Sequence, residues 1–234
     1  MFNVAILGAS GYTGVELVRL ISMHPEFKIH SLSGETKSGL KFGEVYPSLQ
    51  YLNLPNLCYV SDINYDDLDL VFCALPHTKS AAIINKLPRN IKIIDLSADF
   101  RLNTDSLYKK WYGVDHPCPD LLSKFIYGLT EFYRTDIKNS DYVACTGCNS
   151  ATGLYPIIPL VSEGIIEFDD IIINLATGVS GAGRKANEFI IHSEVSEGFS
   201  PYNVKSHRHL AEFDQELLKF SGKKIRVIFT PHLL

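Results

Sequence analysis

A glycine-rich loop between a short apolar strand and a helix constrains this chain more than any other feature. Asn3 to Leu7 is a predicted strand, and the loop Gly8-Ala9-Ser10-Gly11-Tyr12-Thr13-Gly14 follows it directly. Val15 to Met23 then carries apolar residues at helical spacing. Three glycines at this spacing allow a tight turn and the close approach of a pyrophosphate to the N–H groups that begin the helix. The loop therefore predicts a dinucleotide site. Its G-x-x-G-x-x-G spacing differs from the usual G-x-G-x-x-G, and a turn without a ligand is the alternative.

Strand and helix patterns alternate through the rest of the first half. Thr78 to Leu87 is a predicted helix. The further predicted strands are Phe27 to Leu32, Asp69 to Leu75, Ile91 to Leu96 and Tyr142 to Cys145. Such alternation predicts an α/β fold with a doubly wound parallel sheet of the Rossmann type.

The second half has a different pattern and predicts an α+β catalytic domain. Its predicted elements are helices over Asn149 to Gly164, Lys185 to Val195 and Leu210 to Phe220, and strands over Asp170 to Ala176 and Ile225 to Phe229. Pro156 and Pro159 are expected to bend or shorten the first of these helices. We predict a dinucleotide-binding domain over residues 1–147 and a catalytic domain over residues 148–234. The chain ends on a strand and a loop, so we expect this second domain to be incomplete, as in a C-terminally truncated chain.

Composition excludes several classes of protein. The chain is 46% hydrophobic and 21% charged, which is enough apolar material to offset the entropy of ordering. Its net charge of −4 gives no general attraction to nucleic acid. The apolar runs are too short to span a membrane, and the N-terminus lacks a basic leader. Five cysteines in 234 residues do not make a disulfide scaffold, so a cytoplasmic location is expected.

The segment Cys145-Thr146-Gly147-Cys148 follows a predicted strand and precedes a predicted helix. A zinc site normally needs a second ligand pair, and the chain has no other C-x-x-C, so no metal is expected. A redox pair is a second interpretation, but it would not explain the nucleotide loop. In a third, Cys148 alone is reactive, because a helix N-terminus stabilises a thiolate, and Cys145 is a small buried apolar residue. The cysteines alone do not decide among these interpretations.

Other polar segments are candidates for binding or proton transfer. His207-Arg208-His209 precedes a predicted helix and combines an acid–base pair with an anion contact, although a solvated charged loop would look the same. After the second strand, Ser33 and Lys37 suit the 2′-phosphate of NADP, whereas Glu35 suits the ribose of NAD. The segment Gly178 to Lys185 is a glycine-rich basic loop suited to a phosphate.

In their order along the chain, these motifs resemble the N-acetyl-γ-glutamyl-phosphate reductase family, a relative of the aspartate-semialdehyde dehydrogenases. The matching segments are Gly8 to Gly14, Ala74 to His77, Asp95 to Leu102, Gly147-Cys148, Ser180 to Arg184 and His207 to His209. The resemblance implies that Cys148 attacks an acyl phosphate and that the thioester is reduced by NADPH to a semialdehyde. His207 would be the acid–base residue, with His209 as second choice. Arg101, Arg184 and Arg208 would contact the phosphate or the α-carboxylate.

The resemblance also implies cofactor residues. NADP(H) would contact Gly8, Ser10, Gly11, Tyr12, Thr13, Gly14, Ser33, Lys37, Pro76, Ser180 and Gly181. Two features are similar to the branch that reduces glutamyl or aminoadipyl phosphates held on an acidic amino-group carrier protein. These are Asn149, a predicted substrate contact, and the segment His116 to Leu122. The loop Ser180 to Lys185 instead resembles the form found in the arginine-pathway enzymes, so both subgroups stay open. The pathway would be arginine or lysine biosynthesis, and a homo-oligomer is expected. The alternatives are an aspartate-semialdehyde dehydrogenase relative and a nucleotide-binding module without activity.

Overall fold

A computed structural model describes residues 1–234 as ten strands and eight helices, joined by loops and single 3₁₀ turns. The strands are β1 (Phe2–Leu7), β2 (Phe27–Ser33), β3 (Leu57–Cys58), β4 (Leu70–Cys73), β5 (Lys92–Asp95), β6 (Ile126–Gly128), β7 (Tyr142–Cys145), β8 (Ile171–Thr177), β9 (Ser200–Pro201) and β10 (Val227–Leu233). The helices are α1 (Tyr12–Ser22), α2 (Phe42–Val45), α3 (Ser80–Ile84), α4 (Asp105–Tyr112), α5 (Thr130–Lys138), α6 (Cys148–Ser162), α7 (His192–Val195) and α8 (His209–Ser221). No helix is long and apolar enough to cross a membrane.

The first seven strands form one sheet in the order β3-β2-β1-β4-β5-β7-β6, and every neighbouring pair is parallel. This confirms the predicted doubly wound parallel sheet. The strand order reverses between β1 and β4, and ligands of open α/β sheets bind at such a reversal. The glycine loop leaves β1 at that point.

Both faces of this sheet are covered, which explains why its central strands are apolar without alternation. Ala5 and Leu7 belong to one buried cluster, and Val4 and Ile6 belong to a second. All four residues are fully buried. A strand that points side chains into two cores needs apolar residues at every position.

A smaller mixed sheet forms in the second half, with β10 between β8, which is parallel to it, and β9, which is antiparallel. Helices α6 and α8 pack together beside this sheet. Their close approach depends on Gly153 of α6, because a Cβ atom there would lie 2.5 Å from the ring of Phe213 of α8.

The chain forms two compact units, and their limits differ from the predicted domains. One unit contains residues 1–103 and 115–145, and the other contains residues 104–114 and 146–234. The division falls two residues before the predicted one, and α4 belongs to the second unit although the first surrounds it in sequence. Sequence order does not decide which core a helix joins.

Three predicted helices differ from the structure. The helix predicted over Thr78 to Leu87 is shortened to α3, Ser80–Ile84. Helix α6 runs for 15 residues through Pro156 and Pro159, so the predicted shortening is wrong. Both prolines lie on its exposed side, where water can satisfy the carbonyl groups that lose their N–H partners. The predicted helix over Lys185 to Val195 is reduced to a 3₁₀ turn, Glu188–Ile190, and the single turn of α7.

Candidate active site

The glycine loop is held by close backbone contacts that only glycine permits. Gly8 has a φ of +81°, and a Cβ atom there would lie 2.4 Å from the carbonyl oxygen of Ala74. At Gly14 a Cβ atom would lie 2.4 Å from the carbonyl oxygen of Gly8. Gly11 differs, since a Cβ atom there would meet only the Gly8 oxygen, at 3.5 Å. Gly11 is the N-cap of α1 and offers no side-chain cap, so the open first turn of α1 suits a pyrophosphate.

This difference between the glycines gives a test of the loop. We expect Gly14→Ala to lower the free energy of unfolding by about 1–3 kcal/mol, because backbone must move. Gly11→Ala should leave the melting temperature unchanged but weaken NADPH binding by about 10-fold, because its methyl group would project into the open space at the start of α1 where the pyrophosphate is expected. Calorimetry and fluorescence titration measure the two effects. Unchanged NADPH affinity in Gly11→Ala would favour a turn without a ligand.

Ser33 supports this loop from beneath. Its side chain is 1% exposed. The Ser33 Oγ accepts a hydrogen bond from the Gly8 N–H at 3.0 Å, and its carbonyl oxygen accepts one from the Ala9 N–H at 2.8 Å. Ser33 thus positions the loop, and its predicted contact with the 2′-phosphate of NADP stays a prediction. Glu35 accepts a hydrogen bond from the Val60 N–H at 3.1 Å, while Lys37 stays exposed.

Two buried acidic residues organise the ends of β4 and β5. Asp95 accepts hydrogen bonds from the hydroxyl groups of Ser80 and Ser97, at 2.7 and 2.6 Å. Burial raises the pKa of Asp95 to about 6, although these hydrogen bonds favour its carboxylate. Asp99 accepts from the N–H groups of Thr78 and Ala81, at 2.6 and 2.9 Å. Asp99 thus holds the loop after β4, where Pro76 is exposed and Thr78 has a φ of +66°.

Arg101 is only 8% exposed and holds two strand ends together. Its Nε donates to the carbonyl oxygen of Cys145 at 2.7 Å, and its Nη2 donates to that of Leu96 at 2.9 Å. These two donors thus hold the ends of β5 and β7, and the predicted substrate contact of Arg101 stays a prediction.

The two cysteines of the C-x-x-C segment have different environments. Cys145 ends β7 and is partly buried, and this burial raises the pKa of its thiol to about 11. Cys148 is the first residue of α6 and is exposed. The structure contains no disulfide, and no group of side chains could hold a metal ion. Only Cys148 has both access to a ligand and a helix N-terminus beside its sulfur.

His209 and Glu212 of α8 lie against the start of α6. The Gly147 N–H donates to Glu212 Oε2 at 3.0 Å, and His209 Nε2 lies 3.8 Å from Glu212 Oε1. A Cβ atom on Gly147 would lie 2.5 Å from His209 Nε2 and 2.8 Å from Glu212 Oε1. Glycine before the cysteine thus admits an imidazole and a carboxylate beside the nucleophile. We did not predict Glu212 from the sequence, although it lies on the same helix face as His209, three residues away.

A second chain of contacts runs from Cys148 to His207. The Cys148 Sγ lies 3.8 Å from Asn149 Oδ1, and Asn149 Nδ2 donates to the Tyr202 hydroxyl at 3.2 Å. The Tyr202 ring packs edge-on against His207, with centroids 5.5 Å apart. Burial, with a smaller electrostatic contribution from His209, lowers the pKa of His207 to about 4, so the His207 imidazole is neutral at pH 7. Asn149 is 3% exposed, and its predicted substrate contact stays a prediction.

Comparison with known proteins identifies the family of this chain. A model of the NAD-binding domain of semialdehyde dehydrogenases matches residues 3–140, and a model of their dimerisation domain matches residues 148–234. An N-acetyl-gamma-glutamyl-phosphate reductase of Cereibacter sphaeroides (strain ATCC 17025) is 54% identical over 99% of this chain and 68% of its own length. The reductase of that name from Rhodobacter capsulatus is 52% identical over the same shares. The chain belongs to the N-acetyl-γ-glutamyl-phosphate reductase family. This confirms the resemblance found in the sequence.

Solved structures show the same fold at low identity. The aspartate semialdehyde dehydrogenase of Candida albicans, solved with NADP, superposes with a TM-score of 0.66 at 17% identity over 100% of this chain and 68% of that one. The aspartate semialdehyde dehydrogenase II of Vibrio cholerae gives a TM-score of 0.66 at 15% identity over 100% of this chain and 70% of that one. The N-acetyl-γ-glutamyl-phosphate reductase family thus shares its architecture with the aspartate-semialdehyde dehydrogenases.

The remaining predicted residues of this reductase-family chain lie in exposed loops or in the core. Ser180, Gly181 and Arg184 are exposed in the loop that follows β8. The segment His116 to Leu122 alternates between core and surface, because His116, Cys118, Leu121 and Leu122 are buried whereas Pro117, Pro119 and Asp120 are exposed. His116 is 4% exposed and hydrogen-bonds to the carbonyl oxygen of Asp99 at 3.0 Å.

Proposed function

We propose that this chain reduces N-acetyl-γ-glutamyl phosphate to the semialdehyde, with NADPH as reductant and release of phosphate, as a cytoplasmic step of arginine biosynthesis. The observation that carries the proposal is the exposed Cys148 at the N-terminus of α6, with His209 and Glu212 packed against the preceding glycine. The names of relatives at 50–54% identity support the substrate. The family model described as a dimerisation domain supports a homodimer.

The first half of the reaction uses the thiolate of Cys148. The N-terminus of α6 stabilises this anion, and a neighbouring imidazole takes the thiol proton. The sulfur forms a bond to the acyl carbon, and the bond between that carbon and the phosphate oxygen breaks. Phosphate leaves with the electron pair. Gly147 lacks a side chain, so substrate and imidazole can reach the sulfur together.

The second half returns the enzyme to its starting state. NADPH, when bound, supplies a hydride to the thioester carbon. The imidazole holds a proton near the oxygen of the resulting hemithioacetal and stabilises its negative charge. The carbon–sulfur bond then breaks, the oxygen electron pair forms the aldehyde carbonyl, and Cys148 is again a thiolate. Tyr202 and Asn149 keep the first turn of α6 in place throughout.

The reverse reaction tests the proposal. We would supply the full-length protein with phosphate, NADP and either N-acetylglutamate semialdehyde or aspartate semialdehyde. The rate of NADPH formation would be followed by its absorbance. Turnover of the N-acetyl aldehyde alone is expected. Preference for the aspartate aldehyde would assign the chain to the related dehydrogenases, and no turnover of either would favour the module without activity.

We propose the carrier-bound substrate of lysine or arginine biosynthesis as a second candidate. Four exposed cations of the second unit favour it, because they would attract an acidic carrier protein: Arg184, Lys185, Lys205 and Arg208. The two candidate substrates differ in how many cationic side chains of the enzyme they need for binding. A free acyl phosphate needs one or two cationic contacts, whereas a carrier protein uses the whole group.

The dependence of kcat/KM on ionic strength distinguishes these two candidate substrates. We expect kcat/KM for a carrier-bound acyl phosphate to fall steeply as ionic strength rises, because opposite charges accelerate association. Lys205→Ala should reduce that slope, and Lys28→Ala, an exposed lysine of the first unit, should not. A preference for the free N-acetyl compound at every salt concentration would exclude the carrier.

A further inference from the structure

Helix α4 is a short amphipathic helix with both ends fixed. The Thr104 Oγ1 accepts a hydrogen bond from the Leu107 N–H at 3.3 Å and caps the N-terminus. Gly113 ends the helix with a φ of +76°, which glycine adopts without strain. Tyr108 is fully buried, and its ring stacks on that of Tyr112 with centroids 4.8 Å apart. Tyr112 therefore has a defined position on a helix that belongs to the second unit.

The ring of Tyr112 lies beneath the guanidinium group of Arg208. The Arg208 Cζ is 5.0 Å from the centroid of that ring, within the range of a cation–π interaction. This interaction joins the last turn of α4 to the start of α8, because Tyr112 is the last residue of α4 and Arg208 is the N-cap of α8.

Arg208 is the exposed N-cap residue of α8 and lies between the two histidines of the site. An exposed arginine has many rotamers, and ordering it for a ligand costs free energy. When the flat face of a guanidinium group packs on an aromatic ring, the arginine side chain has fewer rotamers available. The N–H groups of the guanidinium lie in its plane and point outward from its edge. Such an arginine is prepared to bind a phosphate through two parallel hydrogen bonds.

We propose that Tyr112 is a positioning residue for Arg208, holding its guanidinium group where it binds the phosphate of the acyl phosphate. The inference rests on the proposed function, since it identifies Arg208 as the phosphate contact of that reaction. It also gives a reason for the placement of α4. A helix from within the sequence of the nucleotide-binding unit completes the anion contact of the catalytic unit.

The test uses the full-length enzyme and the substitution Tyr112→Leu, with Tyr112→Phe as the conservative variant. In the reverse reaction we expect Tyr112→Leu to raise KM for inorganic phosphate by about 2- to 30-fold, the range for losing a cation–π interaction. KM for NADP should not change, and Tyr112→Phe should restore KM for phosphate. In an Arg208→Gln background, Tyr112→Leu should have no further effect on this KM. An equal rise in both KM values, or no rise, would overturn the proposal.

The matched control is Trp111→Leu. Trp111 is the preceding residue of α4, and Lys110 rather than Arg208 lies over its ring, at 5.8 Å. This variant removes an aromatic ring from the same helix, so a general loss of packing would lower the melting temperature in both variants. We expect KM for phosphate to change only in Tyr112→Leu. The same change in Trp111→Leu would indicate a purely structural effect.

A binding measurement separates this inference from the proposed reaction. We would alkylate Cys148 with iodoacetamide in the presence of inorganic phosphate, which should protect the thiol. The quantity measured is the phosphate concentration that halves the rate of alkylation. Tyr112→Leu should raise that concentration by the same factor as KM, even if none of the aldehydes tested is a substrate. The role of Tyr112 would be overturned if phosphate did not slow alkylation of the parent chain, or if the same phosphate concentration halved the alkylation rate in the parent chain and in Tyr112→Leu.

Discussion

Replacing Cys148 by serine should abolish reduction. We expect kcat/KM to fall by at least about 10⁴-fold, the scale seen when a covalent nucleophile is removed. A serine hydroxyl stays protonated at neutral pH, and the N-terminus of α6 cannot stabilise an alkoxide enough to compensate. NADPH affinity should be unchanged, because the predicted nucleotide contacts of the glycine loop lie in the other unit. Steady-state kinetics and a fluorescence titration measure the two quantities.

Cys145→Ser is the matched control for this substitution. The Cys145 thiol is partly buried with a pKa raised to about 11, so it is protonated at pH 7 and is a poor nucleophile. We expect the variant to retain most of its activity and to lose some stability, because a more polar hydroxyl replaces a thiol in a partly buried site. If Cys145→Ser were as damaging as Cys148→Ser without unfolding the protein, the redox interpretation of the C-x-x-C segment would be correct.

The histidine substitutions should give the second-largest effects. We expect His209→Ala to lower kcat by about 10²–10⁴-fold, the range of a general acid–base residue. The His209 Nε2 lies against Gly147, directly before the nucleophile, and the buried Glu212 carboxylate is 3.8 Å from it. His207→Ala should lose less, which reverses the order expected from sequence. The Nδ1 of His207 is already an acceptor for the His209 N–H, at 3.2 Å.

A stability profile shows whether His207 has the environment described here. Its pKa of about 4 in the folded chain lies below the unfolded value of about 6.5. The unfolded chain therefore binds more protons between these values, and the free energy of unfolding falls as the pH falls through that window. His207→Ala should abolish this slope, and His209→Ala should reduce it less, because burial, the larger cause of the lowered pKa, remains. Small, equal losses of activity from both alanine variants would favour the alternative interpretation of His207-Arg208-His209 as a solvated charged loop without a catalytic role.

The sequence by itself determined the parts that depend on neighbouring residues. The apolar run Asn3 to Leu7, the glycine loop after it and the following helical spacing predict one strand–loop–helix unit, and the structure contains it. Cys148 was predicted at a helix start because glycine precedes it and apolar periodicity follows it. Periodicity and glycine conformations are local properties, so they can be read without knowing the fold.

Only the tertiary structure decided which polar groups form hydrogen bonds within the protein. The hydroxyl of Ser33 and two donors of Arg101 looked available to a ligand, but they bond to backbone atoms of the loop and the strand ends. Glu212 reaches the Gly147 N–H from 65 residues away in sequence, and Tyr112 reaches Arg208 from a helix inserted in the other unit's sequence. No local pattern encodes such pairs. They depend on which helices share a core, and that is settled by the packing of the whole chain.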